Sequence, residues 1–328
     1  MLDVLPDTTV ITGANGSGKT SLIEALYVAL QGSSFKGSDS DMLRGDAPWY
    51  RIDILFDDKT VRTVKFDPSR QSGKKQFIVD GKTHYRLPQK DKYPVVLFEP
   101  EDLRLLNGSP VRRRQFIDHF ISQLDPQYAT SLRRYERALK QRNALLKQRS
   151  TSESLFVWDV ALSEYGAYIV NQRIHFCSEL NVRLNDVYSS IAHTDDTVTI
   201  RYSQAQHTNE AQRLLAELHD RIERDVYLGY TSVGPHRHDV LFDFNNSPAL
   251  TVASRGEVRT IVLALKFLEV DIIESITSKK PVVLLDDLFS ELDESRQNYL
   301  TRSTKRGQTI ITSATSSSGI SSEQIKKL

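Results

Sequence analysis

The chain has 328 residues, 39% of them hydrophobic and 26% charged, which suits one large or two medium globular domains and excludes a disordered or collagen-like polymer. Its formal net charge of +1 gives no whole-molecule sign of a nucleic-acid binder, and its single cysteine, Cys177, excludes an intrachain disulfide and suits a reducing compartment such as the cytoplasm. No run of about 18 apolar residues is present, and the start MLDVLPDTTVITG lacks the pattern of a signal peptide, so no membrane partner is expected.

In chain order, Thr8 to Thr12 (TTVIT) is β-branched and apolar, and GANGSGKT follows at residues 13–20. KTSLIEALYVALQG then places Leu22, Ile23, Leu26 and Leu30 at helical spacing: strand, loop, helix. From Arg51 the period falls to two through Ile52, Ile54 and Phe56, and Asp80-Gly81 is a hairpin signal, which predicts a small antiparallel meander. Ser109-Pro110 reads as an N-cap and first helical residue. Tyr128, Leu132, Tyr135, Leu139 and Leu146 then fall at four-three spacing, with Arg142 filling one core slot. After the polar break QRSTSES, Leu155, Trp158, Leu162, Tyr165, Ile169 and Phe176 repeat the pattern. Two helices with facing seams predict a short antiparallel hairpin arm, which two ordinary bundle helices would match almost as well.

Beyond Ala192 we expect a strand (TVTIRYS), a helix over about Ala211 to Arg224, and a return to strand character in GYTSVGPHRHDVLFDF. From Thr251 come a turn, a long helix, the buried strand PVVLLDD, a loop and helix, and the strand QTIITSAT; the serine-rich tail SATSSSGISSEQIKKL is expected to fray. The fold class is therefore α/β, a nucleotide-binding head built from both chain ends around a helical insertion. The divisions fall at residues 1–108, 109–228 and 229–328.

The octet fits GxxxxGK[ST]. Its glycines let consecutive N–H groups turn inward, Lys19 reaches the β and γ phosphates, and Thr20 offers a hydroxyl to Mg²⁺ at a helix N-terminus. In VVLLDDLFSELD, residues 282–293, four apolar residues end in a carboxylate, as a buried strand must to deliver Asp286 to a metal. Asp287 lies one residue further on and is placed to orient or deprotonate an attacking water; a core strand with two capping acids is the plainer alternative. SRGE, Ser254 to Glu257, opens the helix that runs into that strand. Such a start grips a phosphate in a two-subunit clamp, or is simply a cap.

GANGSGKT, SRGE, LLDD and SELD, in this order, resemble the ABC-type ATPase heads of SMC-like proteins. The short span between phosphate loop and signature narrows the resemblance to the RecF family of bacterial recombination-repair proteins. PEDLRLLNGSPVRRRQFID (Pro100 to Asp118), GYTSVGPHRHD (Gly229 to Asp239) and LLDDLFSELDESRQNYL (Leu284 to Leu300) are similar to that family's characteristic blocks.

The resemblance implies ATP and Mg²⁺ as cofactors, with Gly13, Ala14, Asn15, Gly16, Ser17, Gly18, Lys19, Thr20 and Ser21 around the nucleotide and Thr20 and Asp286 on the metal. It puts Asp287 where other heads carry a catalytic glutamate, beside Lys19 and Asp286 in the catalytic group, in keeping with a weak, DNA-stimulated ATPase used as a switch. Ser254, Arg255 and Gly256 become the signature that reaches the partner's γ-phosphate in an ATP-dependent homodimer, and Asp293 lies on the loop crossing that interface. Double-stranded, gapped or junction DNA and the proteins RecO and RecR are the implied partners, in the loading of recombinase.

Departures are also visible. Glu257 stands where glutamine is expected, Thr312 and Ser313 where a switch histidine is usual, and His238 where the third block has an acid; FEPED has no glutamine. The phosphate loop begins so early that a leading strand pair is expected to be missing and a sheet edge unprotected.

Residues 112–149 carry ten Lys or Arg against three acids, a local charge of +7. Arg112, Arg113, Arg133, Arg137 and Lys140 are the expected DNA contacts, the last three recurring on one helix face; a solvated face is the alternative, and Arg112 to Arg114 equally suit pairing with acids at the arm's base. Two other readings stay open: a RecF-derived DNA-binding scaffold with little ATPase activity, and the ABC subunit of a transporter, which would need a coupling groove and a switch histidine.

Overall fold

The computed structural model describes residues 3–149, 152–287, 292, 296–297, 299–300, 307–314 and 325–327. In chain order the elements are β1 (Thr8–Thr12), α1 (Lys19–Gln31), β2 (Tyr50–Leu55), β3 (Val61–Phe66), β4 (Lys75–Val79), β5 (Lys82–His84), β6 (Val95–Phe98), α2 (Pro110–Leu124), α3 (Pro126–Lys147) and α4 (Ser152–Ala192). There follow β7 (Val198–Tyr202), α5 (Glu210–Asp220), α6 (Ile222–Leu228), β8 (Val240–Phe244), β9 (Ser247–Pro248), α7 (Ala249–Val252), α8 (Arg255–Thr277), β10 (Val282–Leu285), β11 (Thr309–Ser313) and β12 (Ile325–Lys327). They form two compact units, residues 1–102 with 270–328 and residues 103–269.

The first unit is built on a parallel sheet of order β12-β1-β11-β10-β6. Strands β6 and β10 are buried along their whole length, as parallel strands covered on both faces are. Helix α1 packs Ile23, Tyr27 and Leu30 against Ile11, Val95, Leu97, Val282, Leu284 and Ile310 of this sheet. Its other side, Val28 and Ala29, meets Val64, Phe77 and Leu87 on and beside the antiparallel meander β2-β3-β4-β5. Buried Arg62 of β3 donates to the Ala29 carbonyl (2.7 Å) near the negative end of α1 and so ties helix to meander.

One expectation for this unit needs correction. The tail is not frayed at Ile325–Lys327, which pairs in parallel with Val10–Thr12. There β12 supplies partners on the side of β1 away from β11.

The second unit holds the helical arm. Helix α2 starts after Ser109 with Pro110 at its first position, as read from the sequence, although the serine hydroxyl makes no cap bond. Helices α3 and α4 form the hairpin, and Tyr128, Tyr135, Leu146, Leu155, Leu162, Ile169 and Phe176 are buried as expected. The seam of α4 is more polar than its apolar pattern suggests. Asp159 is buried beside Trp158 and Arg173 in the gap between Ile169 and Phe176, whereas Trp158 and Tyr165 are only half-buried.

Arg142 is 0% exposed, and its Nε and Nη1 reach Asp159 Oδ1 and Asp225 Oδ2, each at 2.6 Å, with Thr231 Oγ1 at 3.0 Å. Arg173 donates through Nη2 to Asp118 Oδ2 (2.8 Å), and through Nη1 to the Tyr202 hydroxyl (3.0 Å) and the Pro235 carbonyl (2.8 Å). A small residue lets these elements close up: a Cβ on Gly166 of α4 would stand 3.1 Å from Leu214 and 3.3 Å from Tyr135.

The sheet β7-β8-β9 was not foreseen as a separate layer. Because β8 pairs with β7, residues 229–269 cluster with the arm, so the return to the nucleotide-binding unit falls at 269/270 rather than at 228/229. The expected helix over 211–224 is two helices, broken at Arg221, so that Asp225 on the second turns inward to Arg142. Among the described residues no helix is long and apolar enough to cross a membrane.

Candidate nucleotide site and basic arm

The octet leaves β1 and enters α1 through Gly16 (φ 83°) and Gly18 (φ 101°), backbone conformations that side chains disfavour. Nothing lies within 4 Å of a Cβ built on either, so glycine is needed here for its backbone freedom and for the open cradle above it. Buried Lys19 curls back, its Nζ 2.9 Å from the Gly13 carbonyl and 3.2 Å from that of Ala14, and 3.9 Å from Asp287 Oδ2. Thr20 donates to Asp286 Oδ1 at 3.0 Å, across 266 residues of sequence. The topology explains the meeting, since β1 and β10 run parallel with only β11 between them and end on the same side of the sheet.

From the intervening strand comes a residue whose part was not read from the sequence. Thr312 on β11 donates to Asp286 Oδ1 (2.8 Å) and accepts the Asp287 N–H (3.0 Å). The sequence drew attention to this position only for its missing histidine. Asp286 is 4% exposed, whereas the Asp287 side chain is over a third exposed and its backbone is left-handed (φ 46°). Asp293 lies outside the described residues.

The residue set fits a nucleotide and its metal. The cradle is open, one hydroxyl and one carboxylate converge as a hard cation requires, and the lysine is held at the loop.

On the second unit, Ser254 caps α8, and Glu257 explains itself. The Ser254 N–H donates to Glu257 Oε2 (2.6 Å) and the Glu257 N–H to Ser254 Oγ (3.3 Å), a reciprocal capping box in which glutamate serves as well as glutamine. The S-x-x-E spacing was sufficient to find it. The acid is thus turned back on its own helix start. His238 is buried against the Tyr202 hydroxyl (2.9 Å), and burial pushes its pKa down to about 3, so the imidazole is neutral and does not replace an acid electrostatically.

The basic run divides. Arg133, Arg137 and Lys140 are exposed along α3, with Glu136 among them, and Arg112 is half-buried. Arg113 is corrected: it is 6% exposed and committed, forking onto Asp239 (2.9 and 2.8 Å) and donating to the Leu106 and Gly108 carbonyls. Sequence counts the charge but not its partner, which lies 126 residues away.

A phosphate loop and a strand-end carboxylate, set on parallel strands one strand apart and accompanied by a helical insertion and a capped SRGE helix, define an ABC-type P-loop ATPase head. A family model described as an AAA domain matches residues 2–224. Two relatives named DNA replication and repair protein RecF, from Thermomicrobium roseum and Staphylococcus carnosus, are 35% and 34% identical; the alignments cover 95% and 99% of this chain and 89% and 92% of theirs. A solved structure titled as the recombination mediator protein RecF with ATP in the RecFOR pathway superposes with a TM-score of 0.85 at 29% identity, covering 98% of this chain and 89% of that one. The chain belongs to the RecF family, which sets the transporter reading aside.

Proposed function

We propose that this chain is an ATP-gated DNA clamp of recombinational repair: ATP joins two heads, the joined heads hold double-stranded DNA at gaps or junctions, and slow hydrolysis releases it. The observation that carries the reading is the convergence of Lys19, Thr20, Asp286 and Asp287 at the ends of β1 and β10 in a member of the RecF family. The octet's amides and Lys19 would hold the triphosphate, and Thr20 and Asp286 the Mg²⁺, which when bound neutralises charge on the phosphoryl oxygens. Asp287, exposed at the strand end, serves to orient or deprotonate the attacking water.

The signature acts from the second copy. In the capping box Ser254 Oγ accepts a bond and keeps its own proton, so it can still donate to a phosphate. Arg133, Arg137 and Lys140 meet DNA phosphates independently of sequence, and RecO and RecR are the partners in loading recombinase.

The test is sedimentation of the full chain with and without ATP and Mg²⁺, beside Lys19→Ala and Asp287→Asn. Dimerisation that needs ATP, is abolished by Lys19→Ala and is prolonged by Asp287→Asn is the expected result. A monomer under every condition overturns the clamp and puts the DNA-binding scaffold first.

A further inference from the structure

The geometry assigns Thr312 as a positioning residue of this ATPase centre: its hydroxyl holds the left-handed backbone that aims the Asp287 carboxylate and joins it to Asp286. A threonine hydroxyl has one proton and two lone pairs. One lone pair takes the Asp287 N–H at 3.0 Å. The proton faces two acceptors, Asp286 Oδ1 at 2.8 Å and the Leu285 carbonyl at 3.3 Å, and the shorter, charged one takes it. A single oxygen thus bridges the metal-binding carboxylate and the backbone of the water-orienting one.

Two further observations give the bridge its importance. Thr312 is fully buried, so water cannot take its place. Asp287 sits at φ 46°, a left-handed conformation uncommon for a residue with a side chain and one that a fixed N–H helps to hold. The hydroxyl touches no reacting atom, and its effect passes through Asp287. The neighbouring Thr20 hydroxyl shares Asp286 Oδ1, so a movement of that carboxylate when the loop is filled reaches Asp287 through Thr312.

The inference rests on the ATPase reading above, and its test separates the two. Thr312→Val keeps size and β-branching and removes the hydroxyl, whereas Thr312→Ser keeps the hydroxyl. In the nucleotide-free full chain, amide hydrogen exchange at Asp287 is expected to quicken at least about tenfold in Thr312→Val and to stay near wild type in Thr312→Ser. In steady-state hydrolysis, Thr312→Val is expected to lower kcat roughly 10- to 100-fold with little change in the KM for ATP, Thr312→Ser to restore it, and Thr312→Val to add nothing to Asp287→Asn. Unchanged exchange at Asp287, or full kcat in Thr312→Val, overturns the assignment. A wild-type chain without hydrolysis overturns the ATPase reading instead, and the exchange measurement still decides whether Thr312 holds Asp287.

Discussion

Arg142→Met is the most informative perturbation of the arm. The arginine is fully buried, and so is Asp225, while Asp159 is nearly so. Both carboxylates lie 2.6 Å from its guanidinium, and Asp225 also accepts the Ser232 N–H at 3.0 Å. Methionine fills much of the volume but strands two carboxylates in a dry seam, and removing one partner of a buried pair costs about 3–5 kcal/mol. At roughly 2–4 °C per kcal/mol for a unit of this size, the melting temperature should fall by about 6–20 °C.

The loss depends on pH in a definite direction. Burial already raises the Asp159 pKa despite Arg142, and loss of the arginine removes the charge and hydrogen bond that oppose that rise. Groups whose folded pKa is raised destabilise increasingly as pH climbs past their unfolded value, so the deficit should be larger at pH 8 than at pH 5. Adding Asp159→Asn and Asp225→Asn should recover much of it. Calorimetry at both pH values decides: a fall under about 2 °C, or one equal at the two pH values, refutes a desolvated ion cluster as the cause.

Other expectations follow from single contacts. Glu257→Gln should melt within a degree or so of wild type, whereas Glu257→Ala loses the box and about 1 kcal/mol. Burial lowers His236 to about 4 and His238 to about 3 from 6.5, so the folded chain refuses protons that the unfolded chain accepts. Their stabilisation is complete above about pH 6.5 and is lost at about 1.4 kcal/mol per unit per histidine as pH falls towards those values, a slope that His236→Asn with His238→Asn should flatten in denaturant titrations. Arg113→Ala should lower the melting temperature by several degrees through loss of the fork onto Asp239 and of the bonds to the Leu106 and Gly108 carbonyls, while Arg137→Ala should leave melting unchanged and reduce the salt dependence of DNA binding by about one counterion.

The parts legible in the sequence are those encoded within a few consecutive residues. The phosphate loop, β10 with its terminal acids, the meander and the start of α2 each announce themselves locally. Arg142 reads as core because it interrupts an apolar pattern, but the same counting chooses Trp158 over its neighbour Asp159 and passes over Arg173 between Ile169 and Phe176. Apolar periodicity does not see a charge that is buried because its partner is buried with it. Thr312 was hidden for a related reason: an ordinary strand threonine acquires meaning only when the topology sets β11 between β1 and β10. The return of β12 to the sheet is likewise a matter of pairing, with little in IKK to signal it.

The spans of these bonds also bear on how the chain folds. Arg142 waits for Asp225, 83 residues later, Arg113 for Asp239, 126 residues later, and Thr20 for Asp286, 266 residues later. The arm hairpin emerging from a ribosome is therefore an unfinished object whose charged seam stays solvated until residues 225–239 arrive, and the nucleotide sheet waits longer, for β10 and β11. High sequence separation makes such closure slow and leaves apolar surface exposed in the interval. Assembly of the second unit should accordingly precede that of the first, even though the first unit's leading strand and phosphate loop are synthesised before any of it.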